Sequence, residues 1–202
     1  MIRVFLADDH AVVRMGLRAL LATAPDVEVV GEACHGRQVL EAAEADDWTA
    51  DVLLLDLSLP RVSGIEVLTR LAKLRPTLRV LVLSMYAEEQ YADHVARLGA
   101  AGYVAKDRSE EELLTAVRTV AQGRSYFSRR PNPQQATPLA GLSTRQFQVF
   151  SLVVAGHTVS EIAAELNVGV STVSTHLGQV KLRLGVHSVA ELVAYAHRLD
   201  LA

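Results

Sequence analysis

Five short apolar runs in the first half of the chain constrain the fold most: Ile2–Ala7, Val27–Ala33, Val52–Leu55, Val80–Ser84 and Gly102–Val104. Each is rich in Val, Leu and Ile and nearly continuous, the pattern of a strand covered on both faces. Amphipathic stretches separate them. In the first, Val13, Leu17, Leu20 and Leu21 fall on one helical stripe. Ser63-Gly64-Ile65-Glu66 and Ser109-Glu110-Glu111-Glu112 read as capping boxes that open later helices. Five strand–helix repeats predict a doubly wound α/β unit, a five-stranded parallel sheet with helices on both faces.

The pattern stops near Gln122. Residues 123–139 hold Pro131, Pro133 and Pro138 among Asn, Gln and Arg, the composition of an exposed linker. The signals then become helical. Ser143-Thr144-Arg145-Gln146, Thr158-Val159-Ser160-Glu161 and Ser188-Val189-Ala190-Glu191 read as capping boxes, and a further helix fits from about Val170 to Leu184. Gly156, Gly169 and Gly185 punctuate these segments as turn or cap glycines do. The expected organisation is a doubly wound domain over 1–122, a linker over 123–139 and an all-α four-helix domain over 140–202.

Half of the residues are hydrophobic and 21% are charged, an ordinary balance for packed cores. A lone Cys34 cannot form an internal disulfide, which fits a reducing compartment. The first residues reach Asp8 and Asp9 before a signal-peptide core could form, and no apolar run approaches the roughly 20 residues of a membrane span. The expected location is the cytoplasm, away from the membrane. The net charge of −3 is uneven: residues 1–122 carry −6, 123–139 carry +3, and 140–202 are neutral.

Ligands of open parallel sheets bind outside the carboxyl ends of the strands. There the sequence places Asp8 and Asp9 after the first strand, Asp56 after the third, Ser84 at the end of the fourth and Lys106 after the fifth. Crowded carboxylates repel one another, and a divalent cation relieves this. An all-oxygen donor set with room for water suits Mg²⁺. Lys106 can pair with a carboxylate or an incoming phosphoryl group, and Ser84 can donate to a phosphoryl oxygen. The constellation suits phosphoryl transfer to Asp56.

Residues 1–122 resemble a response-regulator receiver domain, a flavodoxin-like fold. The matching motifs are Asp8-Asp9-His10, Leu53-Leu54-Leu55-Asp56-Leu57-Ser58-Leu59-Pro60, Ser63-Gly64, Leu83-Ser84 and Gly102-Tyr103-Val104-Ala105-Lys106-Asp107. The resemblance implies that Asp56 accepts phosphate from a sensor histidine kinase. It implies that Asp8, Asp9, Asp56 and the backbone carbonyl of Ser58 hold Mg²⁺, and that Ser84 and Lys106 contact the phosphoryl group. Tyr103 matches the switch aromatic, which turns inward as Ser84 moves. Ser58 and Tyr86 match positions that tune phosphoryl lifetime.

The second half resembles the NarL/FixJ (LuxR-type) helix-turn-helix domain. The matching residues are Leu142 to Gln146, Gly156, Glu161 to Leu166, Ser171 to His176 and Leu184-Gly185-Val186. A short helix, a turn at 167–169 and a longer helix can set the second helix in the major groove. Val170, Ser171, Ser174, Thr175, Gly178 and Lys181 take the DNA-facing side, while Val173, Leu177, Val180 and Leu184 read as core. Members of this family often carry Lys or Arg at Ser171, Ser174 or Gly178, a Ser cap at Gly169 and acidic residues at Gln146 and Gln148. Few cations imply weak phosphate attraction by one domain. Dimerisation therefore matters more, and Arg124, Arg129 and Arg130 are candidate phosphate contacts.

The function expected is a two-component response regulator, not a dedicated enzyme. Phosphorylation of Asp56 favours a homodimer that binds promoter DNA, with RNA polymerase as a further partner and self-dephosphorylation as the return step. The alternative is an adaptor that acts by heterodimerisation and binds DNA weakly. An aspartate-nucleophile phosphatase is disfavoured because the position two past Asp56 is Ser58, which cannot serve as the second catalytic acid.

Overall fold

The computed structural model describes residues 1–85, 88–128, 139 and 142–198. The chain divides into two compact units, Met1–Pro131 and Asn132–Ala202. In the first, strands β1 (Ile2–Ala7), β2 (Val27–Ala33), β3 (Val52–Asp56), β4 (Arg79–Ser84) and β5 (Gly102–Ala105) alternate with helices α1 (Ala11–Ala22), α2 (Gly36–Glu44), α3 (Gly64–Leu74), α4 (Glu88–Arg97) and α5 (Glu110–Ala121). All pairings are parallel, in the order β2-β1-β3-β4-β5. The order reverses between β1 and β3, so the crevice at the carboxyl ends of those two strands is the natural binding site.

The strands are hydrophobic because both faces are buried. Leu53, Leu54 and Leu55 are each at most 1% exposed, and burying one such side chain stabilises the fold by roughly 1.5–3 kcal/mol. Val4, Leu6, Leu54, Leu81 and Leu83 join Leu21 of α1 and Leu113, Val117 and Val120 of α5 in one core. Alternation sends Leu53, Leu55 and Val82 to the other face, the side on which α2 and α3 pack together.

Helix α1 is less buried than its stripe predicts. Leu21 is fully buried, but Val13, Leu17 and Leu20 are only partly covered, and Val12 and Met15 on the same helix stand open. The capping motifs also differ in detail. Ser63 and Ser109 accept the backbone N–H of Glu66 and Glu112 as expected. Glu66, however, reaches forward to Arg70 at 2.5 Å, an i,i+4 ion pair that competes with the return bond of a box.

The segment read as the start of a linker does not all stand free. Tyr126 bridges to Gly102, its N–H donating to Ala101 O and its carbonyl accepting from Tyr103 N–H, both at 2.9 Å. This extends the edge of the sheet by one short bridge beside β5. A Cβ on Gly102 would lie 2.7 Å from Tyr126 O, so the bridge demands a residue without one.

The second unit contains α6 (Thr144–Val154), α7 (Val159–Glu165), α8 (Val170–Leu184) and α9 (Val189–Arg198). Ser143 with Gln146 and Thr158 with Glu161 form complete capping boxes. At the third, Ser188 Oγ accepts from Glu191 N–H, but the Glu191 carboxylate accepts from His187 N–H rather than completing a box. Val173, Leu177, Val180 and Leu184 are buried, as their spacing predicts. Phe147 and Phe150 of α6, Ile162 of α7 and Leu192 of α9 are also buried in this unit, and α8 packs against α6 and α7. Asn167 turns the chain between α7 and α8 with φ of 51°, a left-handed conformation that Asn adopts more readily than bulkier residues.

Candidate functional site

The carboxyl ends of β1, β3 and β4 and the loop after β5 bring Asp8, Asp56, Ser84 and Lys106 together. Asp8, Asp56 and Ser84 are 1%, 3% and 0% exposed. Lys106 Nζ lies 2.6 Å from Asp8 Oδ2 and 2.8 Å from Asp56 Oδ2, so one ammonium bridges two buried carboxylates. The other oxygens are also held. Asp8 Oδ1 accepts from His10 N–H at 2.8 Å, and Asp56 Oδ1 accepts from Ser58 N–H at 3.2 Å. Lys106 N–H donates to Ser84 O at 2.7 Å, tying the β5–α5 loop to the end of β4.

This packing is electrostatically loaded. Burial pushes the Asp56 carboxyl above its ordinary range, and Lys106 opposes that rise. Burial alone would lower Lys106, but Asp56 and Asp8 outweigh it and hold the ammonium above its usual pKa. Three carboxylates against one ammonium leave excess negative charge.

Asp8, Asp9, His10 and Asp56 offer ligand atoms that all lie within 4.8 Å of one another. The buried Asp9 Oδ1 makes no hydrogen bond, although His10 Nδ1 stands 2.7 Å away. A compact, mainly carboxylate set with an oxygen left to ligate fits a hard divalent cation such as Mg²⁺. The cluster contains Asp8, Asp9 and Asp56 as the sequence reading placed them. Ser58 contributes its N–H to Asp56.

Two further residues belong to this corner. His10 joins the cluster as the N-cap of α1, and Arg14, one turn later, donates from its guanidinium to Asp8 O at 2.6 Å. Their adjacency to Asp8 and Asp9 was the available signal, but helix entry fixes where both side chains point. Tyr103 is fully buried on β5, opposite Val82 of β4. Tyr86, Arg129 and Arg130 lie outside the described residues.

In the second unit, α7, a tight turn and α8 form a helix-turn-helix. Val170, Ser171, Ser174, Thr175 and Gly178 lie on the exposed side of α8, and Lys181 is half-buried beside them. Gly169 caps α8 without a side-chain bond. Lys181 and Arg183 sit in its last turn, where they also complement the helix dipole.

Two family models match the chain: the response regulator receiver domain over residues 4–118, and the luxR family of bacterial regulatory proteins over residues 140–196. The oxygen regulatory protein NreC of Staphylococcus aureus (strain JH9) is 36% identical over 215 aligned positions, with 98% of each chain covered. RcsB from Salmonella enterica serovar Typhimurium, solved on promoter rprA with the phosphomimetic BeF3-, superposes with a TM-score of 0.69. It is 27% identical, with 96% of this chain and 97% of that chain covered. A structure of two RcsB dimers bound to two parallel DNAs gives a TM-score of 0.59 at 28% identity, covering 97% of this chain and 98% of that one. These matches favour DNA-binding control over the adaptor reading. The chain belongs to the two-component response regulators, with a receiver domain governing a LuxR-type helix-turn-helix domain that controls DNA binding and transcription.

Proposed function

We propose that Asp56 is the phosphoacceptor and that its phosphorylation controls promoter binding through α8. The buried contact of Lys106 with both Asp8 and Asp56 carries this reading. Asp56 attacks the phosphorus of a kinase phosphohistidine in line. The P–N bond breaks, an acyl phosphate forms on the carboxylate, and the imidazole leaves as its nitrogen takes up a proton. Lys106, already held charged in the crevice, faces the incoming phosphoryl oxygens. Asp8, Asp9, Asp56 and the Ser58 carbonyl would hold Mg²⁺, which when bound would offset charge on those oxygens.

The Ser84 hydroxyl then donates to a phosphoryl oxygen. Its backbone carbonyl is bonded to Lys106 N–H, so a shift at Ser84 is passed to the loop after β5 and to Tyr103. Attack of water on the phosphorus breaks the acyl O–P bond, releases inorganic phosphate and returns Asp56 to its free carboxylate, at a rate tuned by Ser58 and Tyr86. On the output side, Val170, Ser171, Ser174, Thr175, Gly178 and Lys181 face the major groove, and Arg124, Arg129 and Arg130 face phosphates. The neutral charge of residues 140–202 favours a homodimer on DNA, because two modest contacts made together gain by effective concentration. RNA polymerase is the partner at the promoter, and the cytoplasm is the compartment.

The test is labelling by acetyl phosphate with Mg²⁺, read on a phosphate-affinity gel. The wild-type chain acquires one acid-stable, base-labile phosphoryl group and Asp56→Asn acquires none. Undiminished labelling of Asp56→Asn refutes the assignment.

A further inference from the structure

The N-terminal stretch of α8, residues 170–178, where base contacts are made, lacks the groups that most often read base edges. Guanine is read in the major groove by Arg or Lys, and adenine by Asn or Gln. Val170, Ser171, Ser174, Thr175 and Gly178 are uncharged, and Lys181 is the one charged member of the DNA-facing set. The helix has one carboxamide, Gln179, and its Oε1 accepts from Gln146 Nε2 of α6 at 3.0 Å. Its Lys181 and Arg183 stand in the last turn, away from the N-terminal residues that meet bases.

The apolar groups, by contrast, are presented. Val170, the first residue of α8, is 51% exposed, and Leu182 is 84% exposed. Thr175 is exposed, but its hydroxyl donates to Ser171 O at 2.9 Å, one turn back along the helix. With the hydroxyl engaged by the backbone, the γ-methyl is the part of Thr175 free to approach a base. Small neighbours at Ser174 and Gly178 let the helix sit close to the groove floor.

We infer that α8 reads thymine, through contact of the Val170 and Thr175 methyl groups with the C5-methyl groups of thymines in each half-site. The inference rests on the reading that α8 enters the major groove, and it names what is recognised there. Apolar side chains are the recognised partners of the thymine methyl. Burial of one methyl group changes affinity about fourfold.

The test uses the full chain, loaded with BeF3- and Mg²⁺, and duplexes selected by it from a random library. Each thymine of a selected half-site is replaced in turn by deoxyuridine, which removes only the methyl group. At one or more positions the dissociation constant rises about fourfold. Thr175→Ser loses a similar factor on the thymine duplex but little on the matching deoxyuridine duplex. Thr175→Val, which keeps the methyl, retains the discrimination. Equal affinity for thymine and deoxyuridine at every position overturns the inference and leaves the placement of α8 standing. Failure to enrich any duplex overturns that placement and the inference with it.

Discussion

Lys106→Met removes the ammonium between Asp8 and Asp56 while keeping most of the side-chain volume. The three side chains are 9%, 2% and 3% exposed, so solvent cannot screen what remains. Removing one partner of a buried ion pair costs about 3–5 kcal/mol, because a buried charge is left uncompensated. At about 3 °C per kcal/mol for a unit of this size, the unfolding midpoint in EDTA falls by roughly 10–15 °C. Asp56, already pushed up by burial, loses its main opposing attraction and rises further. A carboxyl with a raised folded pKa keeps in the folded state a proton that the unfolded chain has released. The stability of the variant therefore declines as pH rises through that pKa and is greatest on the acid side. Adding Asp56→Asn removes the repulsion and restores about half of the loss, a coupling of about 2 kcal/mol. Thermal unfolding of the four chains at pH 5.5 and pH 8 measures all of these quantities. A Lys106→Met midpoint within about 2 °C of wild type, or no relief from Asp56→Asn, refutes the electrostatic account.

Other predictions follow from single positions. A Cβ on Gly64 would lie 2.0 Å from Asp56 O and 2.7 Å from Leu57 Cα. Gly64→Ala therefore destabilises the receiver by roughly 2–4 kcal/mol and lowers acetyl phosphate labelling, as urea unfolding and phosphate-affinity gels will show. His94 is 6% exposed and burial, with Arg97 beside it, holds its pKa down to about 4. The unfolded chain takes up this proton first, so stability is full above pH 6.5 and falls by as much as about 3 kcal/mol by pH 4. Urea unfolding across that range should flatten in His94→Gln. Lys181→Ala weakens binding to all duplexes alike and lowers the slope of log affinity against log salt by about 0.9 in fluorescence anisotropy.

Much of this molecule is legible in its residues, for identifiable reasons. The strands show because both faces are buried, which makes Val52 to Leu55 and Val80 to Leu83 unbroken apolar runs. Asp8, Asp56, Ser84 and Lys106 show because a parallel sheet sends every strand end to one edge. Other features depend on tertiary contacts. The stripe on α1 looks like core, yet Val13 and Leu17 remain partly open because only Leu21 reaches the centre of the sheet face. Tyr126 reads as linker until its backbone is paired beside Gly102. Arg14 is not singled out by the sequence, and it is the geometry of α1 that turns it back onto the carbonyl of Asp8. Thr175 reads as DNA-facing from its spacing, but the bond of its hydroxyl to Ser171 O shows only in the folded helix.

Control of DNA binding by phosphorylation of Asp56, as proposed, is measurable directly in cells. The most direct measurement is genome-wide occupancy of this chain in cells with an active kinase, compared with Asp56→Asn expressed at equal level. Discrete promoter peaks are expected for the wild-type chain, with loss of most of them for Asp56→Asn. Equal occupancy at the same promoters would contradict it.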